Sequence, residues 1–393
     1  MDDINALLDW CREHHDEEMA VIGRVVDHDS PTSDKPALDR LAAVLEECLE
    51  EAGADRVTRY PQDDAGDHLL AVWDFPAREE GREDLFAGDD RPALILCHYD
   101  TVWGPGDAAR RPFRIEGDRA FGPGVFDMKA GLVQGIFAVR ALVETEREAC
   151  RPVWMLITSD EEVGSRTSRT LIEDLAQQCA YVLVLEPAVG PTGLLKTWRK
   201  GVGVFRLTVR GRAAHAGADH AEGVSAVEEL AHQILRLQAM TDHSRGTTVN
   251  VGVVRGGTRS NVVPDSAEAE IDLRVMTRAE GERMTAAIRG LKPVLQGTTL
   301  RVDGGMNRPP MERTPAIAAM FAVARRLGAE IGLDLGETGT GGGSDGNLTA
   351  ALGVPTLDGL GAVGHGAHSL DEYILVHQVP LRTALVARLL EVL

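Results

Sequence analysis

Aromatic residues, lysines and cysteines are scarce in this sequence. Aromatic side chains make up only 4% of the 393 residues, and lysine and cysteine occur five times each. An odd number of widely scattered cysteines does not suit a disulfide framework and indicates reduced thiols. They are Cys11, Cys48, Cys97, Cys150 and Cys179.

Long hydrophobic runs are absent as well. No apolar stretch reaches the ~18 residues of a transmembrane helix, so no membrane span is expected. The N-terminal stretch MDDINALLDW is acidic and amphipathic, whereas a signal peptide begins with basic residues and continues as an apolar run. These features predict a cytoplasmic protein.

Basic residues are also fewer than acidic ones. The 41 basic residues face 61 acidic ones, which leaves a formal net charge of −20. A phosphate-rich partner needs a basic surface, so the composition argues against nucleic acids and anionic membranes. The hydrophobic content of 44% suffices for sizeable cores, and the length favours two domains. An acidic enzyme is the class that the composition favours.

Short apolar runs alternate with helical segments in the first half of the chain. Near-continuous apolar strands of this kind are buried on both faces, which predicts an α/β domain with a mainly parallel sheet. The predicted strands are LLAVWDF (69–75), ALILCH (93–98), VWMLIT (153–158) and YVLVLE (181–186). The predicted helices cover residues 4–26, 37–53, 130–147, 167–178, 223–240, 279–290, 314–328 and 380–392.

The pattern changes near residue 193. The segment GVGVFRLTVRG alternates like a half-buried antiparallel strand, and the signals that follow complete a β-α-β-β-α-β order. That order predicts a small ferredoxin-like α+β domain. Because the earlier alternation resumes after Pro309 and Pro310, we expect a catalytic domain of residues 1–192 and 308–393, interrupted by an inserted domain of residues 193–307.

Each predicted buried strand ends in polar residues. In an open α/β sheet, ligands bind at the carboxyl ends of the strands, so these side chains are expected at one edge. Two Gly-rich segments, FGPGVFDMKAG and GAVGHGAHS, offer an aspartate and a histidine of the same kind. The candidate residues are His98, Asp100, Asp127, Glu161, Glu162, Glu186 and His368.

Histidine and carboxylate donors without paired cysteines suit zinc or a similar divalent ion. A single ion rarely needs two histidines and three carboxylates, whereas two ions that share one bridging carboxylate do. Two dications would also offset the negative charge of the consecutive acids Asp160, Glu161 and Glu162. With Glu162 as a metal ligand, Glu161 would be free to accept and donate protons. The residues therefore predict a two-metal hydrolytic centre.

The sequence resembles the di-zinc hydrolase family of acetylornithine deacetylase, succinyl-diaminopimelate desuccinylase and carboxypeptidase G (glutamate carboxypeptidase). The matching motifs are HYDTV, GPGVFDMKAG, SDEEVGS, LEP, GRAAHAG, NVVP, DLR, GGGSDGN and GAVGHGAHSLDEY. The resemblance extends over nearly the whole chain, including the predicted inserted domain. The resemblance implies a zinc-peptidase-like catalytic domain with a mainly parallel central sheet, and an inserted ferredoxin-like domain that acts as a lid and forms a homodimer.

The resemblance also implies a role for each matching residue. Asp127 bridges both ions, and the peptide bond after it is cis. His98 and Glu186 complete one metal site, whereas Glu162 and His368 complete the other. Asp100 orients the ring of His98.

Proton transfer and substrate binding are assigned to further residues. Glu161 is the general base that takes a proton from the metal-bridging water, and His215 donates a hydrogen bond to the oxyanion, from the partner subunit in dimeric relatives. Asn261 and Arg274 match positions that hold the substrate carboxylate, and Arg308 is a third candidate.

The implied activity is hydrolysis of an amide or peptide bond in an N-acyl amino acid or short peptide. The wording of the motifs is most similar to the glutamate carboxypeptidase branch, so release of an amino acid with a free carboxylate is expected. The alternatives are a deacylase of N-acetyl or N-succinyl amino acids, a ureido-type amidohydrolase, and a metal-binding protein without catalysis. Two Zn²⁺ ions per subunit are expected, although Co²⁺ and Mn²⁺ suit the same ligands.

Overall fold

The structure is a computed structural model, and it describes residues 2–78 and 81–393. The described residues contain eleven α-helices. They are α1 (Asp2–Glu13), α2 (His15–Val26), α3 (Lys35–Glu51), α4 (Asp107–Arg110), α5 (Ala130–Glu144), α6 (Arg169–Gln178), α7 (Ala226–Gln238), α8 (Arg278–Arg289), α9 (Pro315–Glu330), α10 (Gly346–Ala351) and α11 (Val379–Val392).

Sixteen strands are formed within the same ranges. They are β1 (Arg56–Tyr60), β2 (His68–Trp73), β3 (Ala93–His98), β4 (Arg114–Glu116), β5 (Arg119–Phe121), β6 (Val153–Thr158), β7 (Tyr181–Val184), β8 (Leu195–Arg199), β9 (Gly201–Arg210), β10 (Thr248–Gly256), β11 (Ser266–Val275), β12 (Thr299–Arg308), β13 (Glu337–Thr340), β14 (Thr356–Leu357), β15 (Gly364–His365) and β16 (Tyr373–Leu375).

The chain divides into two compact units. The first contains the residues up to Trp198 together with Arg313–Gly339 and Ser344–Leu393. The second contains Arg199–Glu312 and Thr340–Gly343.

A six-stranded sheet with the order β1-β2-β6-β3-β7-β14 forms the centre of the first unit. The pairs β6/β3, β3/β7 and β7/β14 are parallel, and β2 runs antiparallel to both of its neighbours. Every residue of β3 and β7 is buried. The apolar runs form these strands because helices cover both faces, as the sequence pattern predicts.

Helix α5 shows how closely a helix packs against this sheet. Its sequence AGLVQGIFAVRALVE is apolar on nearly all sides, and most of its residues are buried. Two glycines allow the close approach to the end of β7: a Cβ atom on Gly131 would lie 2.2 Å from the carbonyl oxygen of Leu185, and one on Gly361 would lie 2.1 Å from it. The neighbouring residue Glu186 is therefore held at a fixed place by backbone packing.

The second unit is a four-stranded antiparallel sheet with the order β10-β11-β9-β12 and helices α7 and α8. Its core combines the inward residues of β9 and β11 with apolar residues of both helices. The element sequence β9-α7-β10-β11-α8-β12 is the predicted β-α-β-β-α-β order.

The predicted fold class is confirmed. Strands β3 and β6 begin and end at the predicted residues, and most helices lie within a few residues of their predicted bounds. The segment predicted as a helix over residues 4–26 is two helices separated at His14. The predicted insertion spans residues 193–307, and the main segment of the compact second unit spans 199–312, so their bounds differ by a few residues. The second unit also includes residues 340–343, which lie outside the predicted insertion.

Candidate metal centre

Three neighbouring parallel strands deliver polar residues to one edge of the central sheet. Strand β3 ends at His98, the Glu161–Val163 turn follows β6, and Glu186 lies just beyond β7. Because β6, β3 and β7 are parallel and adjacent, their carboxyl ends meet at the same edge.

Asp127 lies at the centre of this group. Its Oδ1 is 3.4 Å from Nε2 of His98, and its Oδ2 is 3.4 Å from Nε2 of His368. The peptide bond between Asp127 and Met128 is cis. One carboxylate thus faces two imidazoles that come from distant parts of the chain.

Each histidine also faces a second carboxylate. Nε2 of His98 is 3.5 Å from Oε1 of Glu186, and Nε2 of His368 is 3.3 Å from Oε2 of Glu162. The donors therefore form two sets that share Asp127. Behind them, the buried Lys196 lies 3.7 Å from Oε2 of Glu186.

The fully buried Asp100 contacts three residues of the candidate site: His98, Glu161 and Glu162. Its backbone oxygen lies 3.0 Å from Nδ1 of His98, while its carboxylate is 3.4 Å from the same nitrogen. The carboxylate accepts hydrogen bonds from the backbone N–H groups of Glu161 (3.2 Å) and Glu162 (3.1 Å). A Nδ1–H that donates to Asp100 leaves the lone pair of Nε2 facing the carboxylate cluster.

The crowded carboxylates change the ionisation of their neighbours. Burial acts to lower the pKa of His98, but the carboxylates of Asp100, Asp127 and Glu186 raise it well above its usual value. Asp127 and Glu162 raise the pKa of His368 to about 10. Burial raises the pKa of Glu162. The site as a whole therefore attracts positive charge.

Two buried atoms of the cluster make no hydrogen bond within the described residues. They are Nε2 of His98 and Oε1 of Glu162. Ligand atoms of His98, Asp127 and Glu162 lie within 4.8 Å of one another, and so do those of His98, Glu161 and Glu186. Unpaired buried polar atoms are costly unless a partner satisfies them, and a cation would satisfy both of these atoms. The donor set fits divalent metal ions.

The three consecutive acids have different surroundings. Asp160 is buried, and its carboxylate accepts hydrogen bonds from Thr167 and Ser168. Glu162 faces His368, whereas Glu161 is half-buried and its carboxylate lies close to His98 and Glu186. Asp160 is thus structural, and only the next two acids belong to the cluster.

The second unit contains the remaining predicted residues. His215 is exposed, and its Nδ1 accepts hydrogen bonds from the backbone N–H groups of Gly217 (3.1 Å) and Ala218 (3.0 Å). A Nδ1 that accepts hydrogen bonds requires the proton on Nε2, so Nε2 is a hydrogen-bond donor. The exposed Asn261 is close in the fold, because its backbone oxygen accepts from Ala216 N at 3.0 Å.

The two predicted substrate arginines differ in their surroundings. One edge of the Arg274 guanidinium, Nε with Nη2, binds both carboxylate oxygens of Asp272 at 2.8 Å, and Nη1 donates to Gly341 O at 3.2 Å. Arg308 is only 4% exposed and packs against Gly343.

Besides Lys196, two residues at the first unit's site were missed by the sequence analysis. Thr32 donates a hydrogen bond of 2.7 Å to Oδ2 of Asp100. Glu372 is buried beneath the loop that carries Asp127. Glu372 lies within the matched motif GAVGHGAHSLDEY, but nothing in the motif indicates what its carboxylate contacts.

Two histidines and four carboxylates, one of them Glu161, gather near the carboxyl edge of a mainly parallel sheet. Such a cluster suits a metal-dependent hydrolase. The profile of Peptidase family M20/M25/M40 matches residues 94–392. The chain belongs to this family, which confirms the resemblance, and it is a hydrolase of the metallopeptidase class.

Relatives of known name agree with this membership. The chain is 33% identical to carboxypeptidase G2 of Pseudomonas sp. (strain RS-16) over 304 residues, which cover 76% of this chain and 72% of the relative. It is 26% identical to a succinyl-diaminopimelate desuccinylase of Nitrosococcus oceani over 329 residues, 79% of this chain and 86% of that one.

Solved structures show the same fold. The aminopeptidase PepT of Bacillus cereus superposes with a TM-score of 0.73 at 23% identity, covering 96% of this chain and 98% of that one. A dinuclear metal-binding peptidase of Bacillus subtilis gives a TM-score of 0.68 at 15% identity, covering 96% of this chain and 98% of that one.

Among the described residues, none of the helices has the length and apolar character needed to cross a membrane.

Proposed function

We propose that this protein is a two-metal amidohydrolase of the carboxypeptidase type, which releases an amino acid with a free carboxylate, glutamate first among them. The observation that carries the proposal is the position of Asp127, whose two carboxylate oxygens each lie 3.4 Å from a different histidine. A carboxylate placed in this way suits two ions that share it. The 33% identity to carboxypeptidase G2 supports the choice of reaction.

The proposed ligand sets follow from these contacts. His98 and Glu186 would hold one ion, Glu162 and His368 would hold the other, and Asp127 would contribute to both. Nitrogen and oxygen donors without cysteine suit Zn²⁺, and Co²⁺ and Mn²⁺ accept the same donors. When bound, such ions polarise a carbonyl group and acidify water.

Glu161 is the proposed general base. Its carboxylate lies within 4.8 Å of ligand atoms of His98 and Glu186, and its backbone N–H donates to the Asp100 carboxylate at 3.2 Å. During hydrolysis it takes one proton from the attacking water and gives it to the nitrogen of the breaking C–N bond, so the products are a carboxylic acid and an amine.

The second unit supplies the proposed substrate contacts. His215 donates Nε2–H to the oxyanion, and its Nδ1 contacts to Gly217 and Ala218 support this tautomer. Asn261 and Arg274 bind the substrate carboxylate, with Arg308 as a third contributor.

We propose that the inserted segment, residues 193–307, acts as a lid and pairs two subunits into a homodimer in which His215 serves the partner's site. The five free, buried cysteines support a reducing cytoplasmic location.

The test is a substrate panel with metal-loaded and metal-stripped enzyme. Dipeptides, folate-like glutamyl amides, N-acetyl and N-succinyl amino acids are incubated with each form, and the released free amino acid is quantified. We expect glutamyl substrates to be cleaved fastest, no turnover after chelation, and recovery with Zn²⁺ or Co²⁺. Preferential cleavage of N-succinyl substrates would favour the desuccinylase alternative, which the 26% identical relative motivates. Normal turnover by fully stripped protein would refute the two-metal mechanism.

Replacement of the general base tests the assignment within the site. Glu161→Gln keeps the shape of the side chain but cannot take a proton, so kcat should fall by roughly 10²–10⁴-fold. The metal content should stay that of the wild type, as measured by elemental analysis. Glu116→Gln, the same change at an exposed strand residue, is the control and should behave like the wild type. Loss of metal from Glu161→Gln would instead indicate that Glu161 is a metal ligand.

A further inference from the structure

Glu372 is a buried carboxylate that accepts four hydrogen bonds. It is only 2% exposed and lies four residues after His368. Its Oε1 accepts from the backbone N–H groups of Phe126 (2.9 Å) and Asp127 (3.0 Å). Its Oε2 accepts from the N–H of Gly124 (2.9 Å) and from the indole Nε1–H of Trp103 (3.0 Å). These bonds fill the acceptor sites of both oxygens, so Glu372 itself has little capacity to bind a metal.

The four donors belong to segments that carry proposed metal ligands. Gly124, Phe126 and Asp127 form the loop that presents the shared carboxylate. Trp103 lies in the segment that follows His98 and Asp100. Glu372 belongs to the segment of His368, where Ser369 N bonds to Gly366 O and Glu372 N bonds to Ser369 O. One side chain therefore joins three ligand-bearing segments, two of which are separated by 269 residues.

We propose that Glu372 is a positioning residue of the metal centre, which sets the place of Asp127 relative to His368 through its bonds to the Asp127 loop. The inference rests on the proposed function, because it needs metal ions at Asp127. Groups that orient ligands from behind change metal affinity by about 10–100-fold when they are removed.

The chemistry of the four partners explains why a carboxylate is needed. All four are N–H groups, and an ionised carboxylate can accept from all of them. An amide of the same size has one oxygen and one NH₂ group, so it would turn a donor towards two other donors. Glu372→Gln should therefore displace the Asp127 loop even though the side chain fits.

The experiment compares metal binding with folding in the full-length enzyme. Zn²⁺ or Co²⁺ is withdrawn from the loaded protein by a competing chelator, and the absorption spectrum of the Co²⁺ form reports the ligand geometry. The melting temperature of the metal-free protein reports the fold. Asp371→Asn is the matched control, because it makes the same acid-to-amide change at the exposed neighbour.

We expect Glu372→Gln to weaken metal binding by about 10–100-fold, to alter the Co²⁺ spectrum, and to lower kcat more than it changes KM. Trp103→Phe removes one of the four donors and should give a smaller loss in the same direction. Asp371→Asn should match the wild type.

Two results overturn the inference in distinguishable ways. If the wild type binds metal tightly and Glu372→Gln binds it equally well, with only a lower melting temperature, Glu372 is a fold residue and the proposed function stands. If the wild type binds no metal, the proposed function fails and the inference falls with it. Should Glu372→Gln not fold, Trp103→Phe decides, since an unchanged metal affinity in that variant rejects the positioning role.

Discussion

At the scale of single residues, Asp100 links four residues at the candidate metal centre. It contacts His98, the backbone of Glu161 and Glu162, and the hydroxyl of Thr32, all without exposure to solvent. A buried carboxylate needs all of its hydrogen bonds, since each unsatisfied acceptor site costs free energy. The geometry of the proposed general base therefore depends on a buried residue behind the proposed metal ligands.

Thr32→Val should reveal this dependence. Valine keeps the shape of threonine but removes the hydrogen bond of 2.7 Å to Oδ2 of Asp100. A hydrogen bond to a charged group contributes about 1.5–3 kcal/mol, so kcat/KM should fall by roughly tenfold or more. Steady-state kinetics on the best substrate of the panel measure the effect.

Two further variants control the Thr32 prediction. Thr32→Ser keeps the hydroxyl group and should retain most of the activity. Ser33→Ala changes the exposed neighbouring residue and should retain all of it. Equal kcat/KM for Thr32→Val and the wild type would mean that Asp100 holds its position without Thr32.

The residue scale also shows the limit of sequence analysis. Strand-end periodicity and motif wording identified His98, Asp127, Glu162, Glu186 and His368, which the structure brings together. Thr32 and Glu372 were not predicted, because their importance comes from burial and from contacts with residues distant in sequence. A local pattern contains neither kind of information.

At the scale of secondary structure elements, the packing of α5 against β7 fixes one side of the candidate metal centre. The carbonyl oxygen of Leu185 lies between Gly131 of α5 and Gly361, where neither position has room for a methyl group. The next residue is Glu186, so a shift of this backbone moves a proposed ligand.

Gly131→Ala should therefore damage both stability and metal binding. The added Cβ would lie 2.2 Å from Leu185 O, a backbone atom that cannot move aside cheaply. Overpacking of this kind costs about 1–3 kcal/mol, which outweighs the helix propensity of about 1 kcal/mol that alanine gains over glycine. Thermal unfolding of the metal-free protein and chelator competition measure the two effects.

Gly281→Ala is the matched control in helix α8. A Cβ at Gly281 would have its nearest neighbour at 3.4 Å, an ordinary contact, so this variant should be neutral or stabilised by up to about 1 kcal/mol. Similar losses in both variants would show that the glycine-to-alanine change itself, and not the contact with Leu185, is responsible.

The elements that could be predicted are those with strong periodicity. Buried strands such as β3 and β6 have near-continuous apolar sequences, and the long helices have clear apolar faces. Short strands such as β4, all of whose residues are exposed, have no such signal and were not predicted. The reversed direction of β2 was also not predicted, because an apolar run does not encode the direction of a strand.

At the scale of the whole molecule, the proposed dimer makes a sharp prediction. If His215 serves the partner's site, then His215→Ala and Glu161→Gln are each nearly inactive but complement each other. Random pairing of dissociated subunits gives about half mixed dimers, each with one intact site of two. Activity should recover to about a quarter of the wild type when the two inactive variants are mixed and reassembled.

The complementation experiment needs proof of subunit exchange. Differently tagged variants, analysed by native mass spectrometry, show whether mixed dimers have formed. Each variant reassembled alone is the control and should stay inactive. Mixed dimers without activity would indicate that His215 acts in the site of its own subunit. An active enzyme that is monomeric in solution would refute the proposed homodimer.

The discontinuity of the first unit has a consequence for the timing of synthesis. The unit 2 segment Arg199–Glu312 is continuous and leaves the ribosome before Arg313–Gly339 and Ser344–Leu393, which the first unit requires. Domains fold as units during translation, so this continuous segment can fold while the first unit is still incomplete. His368 and Glu372 emerge about 170 residues after the inserted segment begins. A nascent chain therefore carries the proposed ligands His98, Asp127, Glu162 and Glu186 before His368 is available. If these residues bind metal as proposed, we expect the complete metal site to form only in the nearly finished polypeptide.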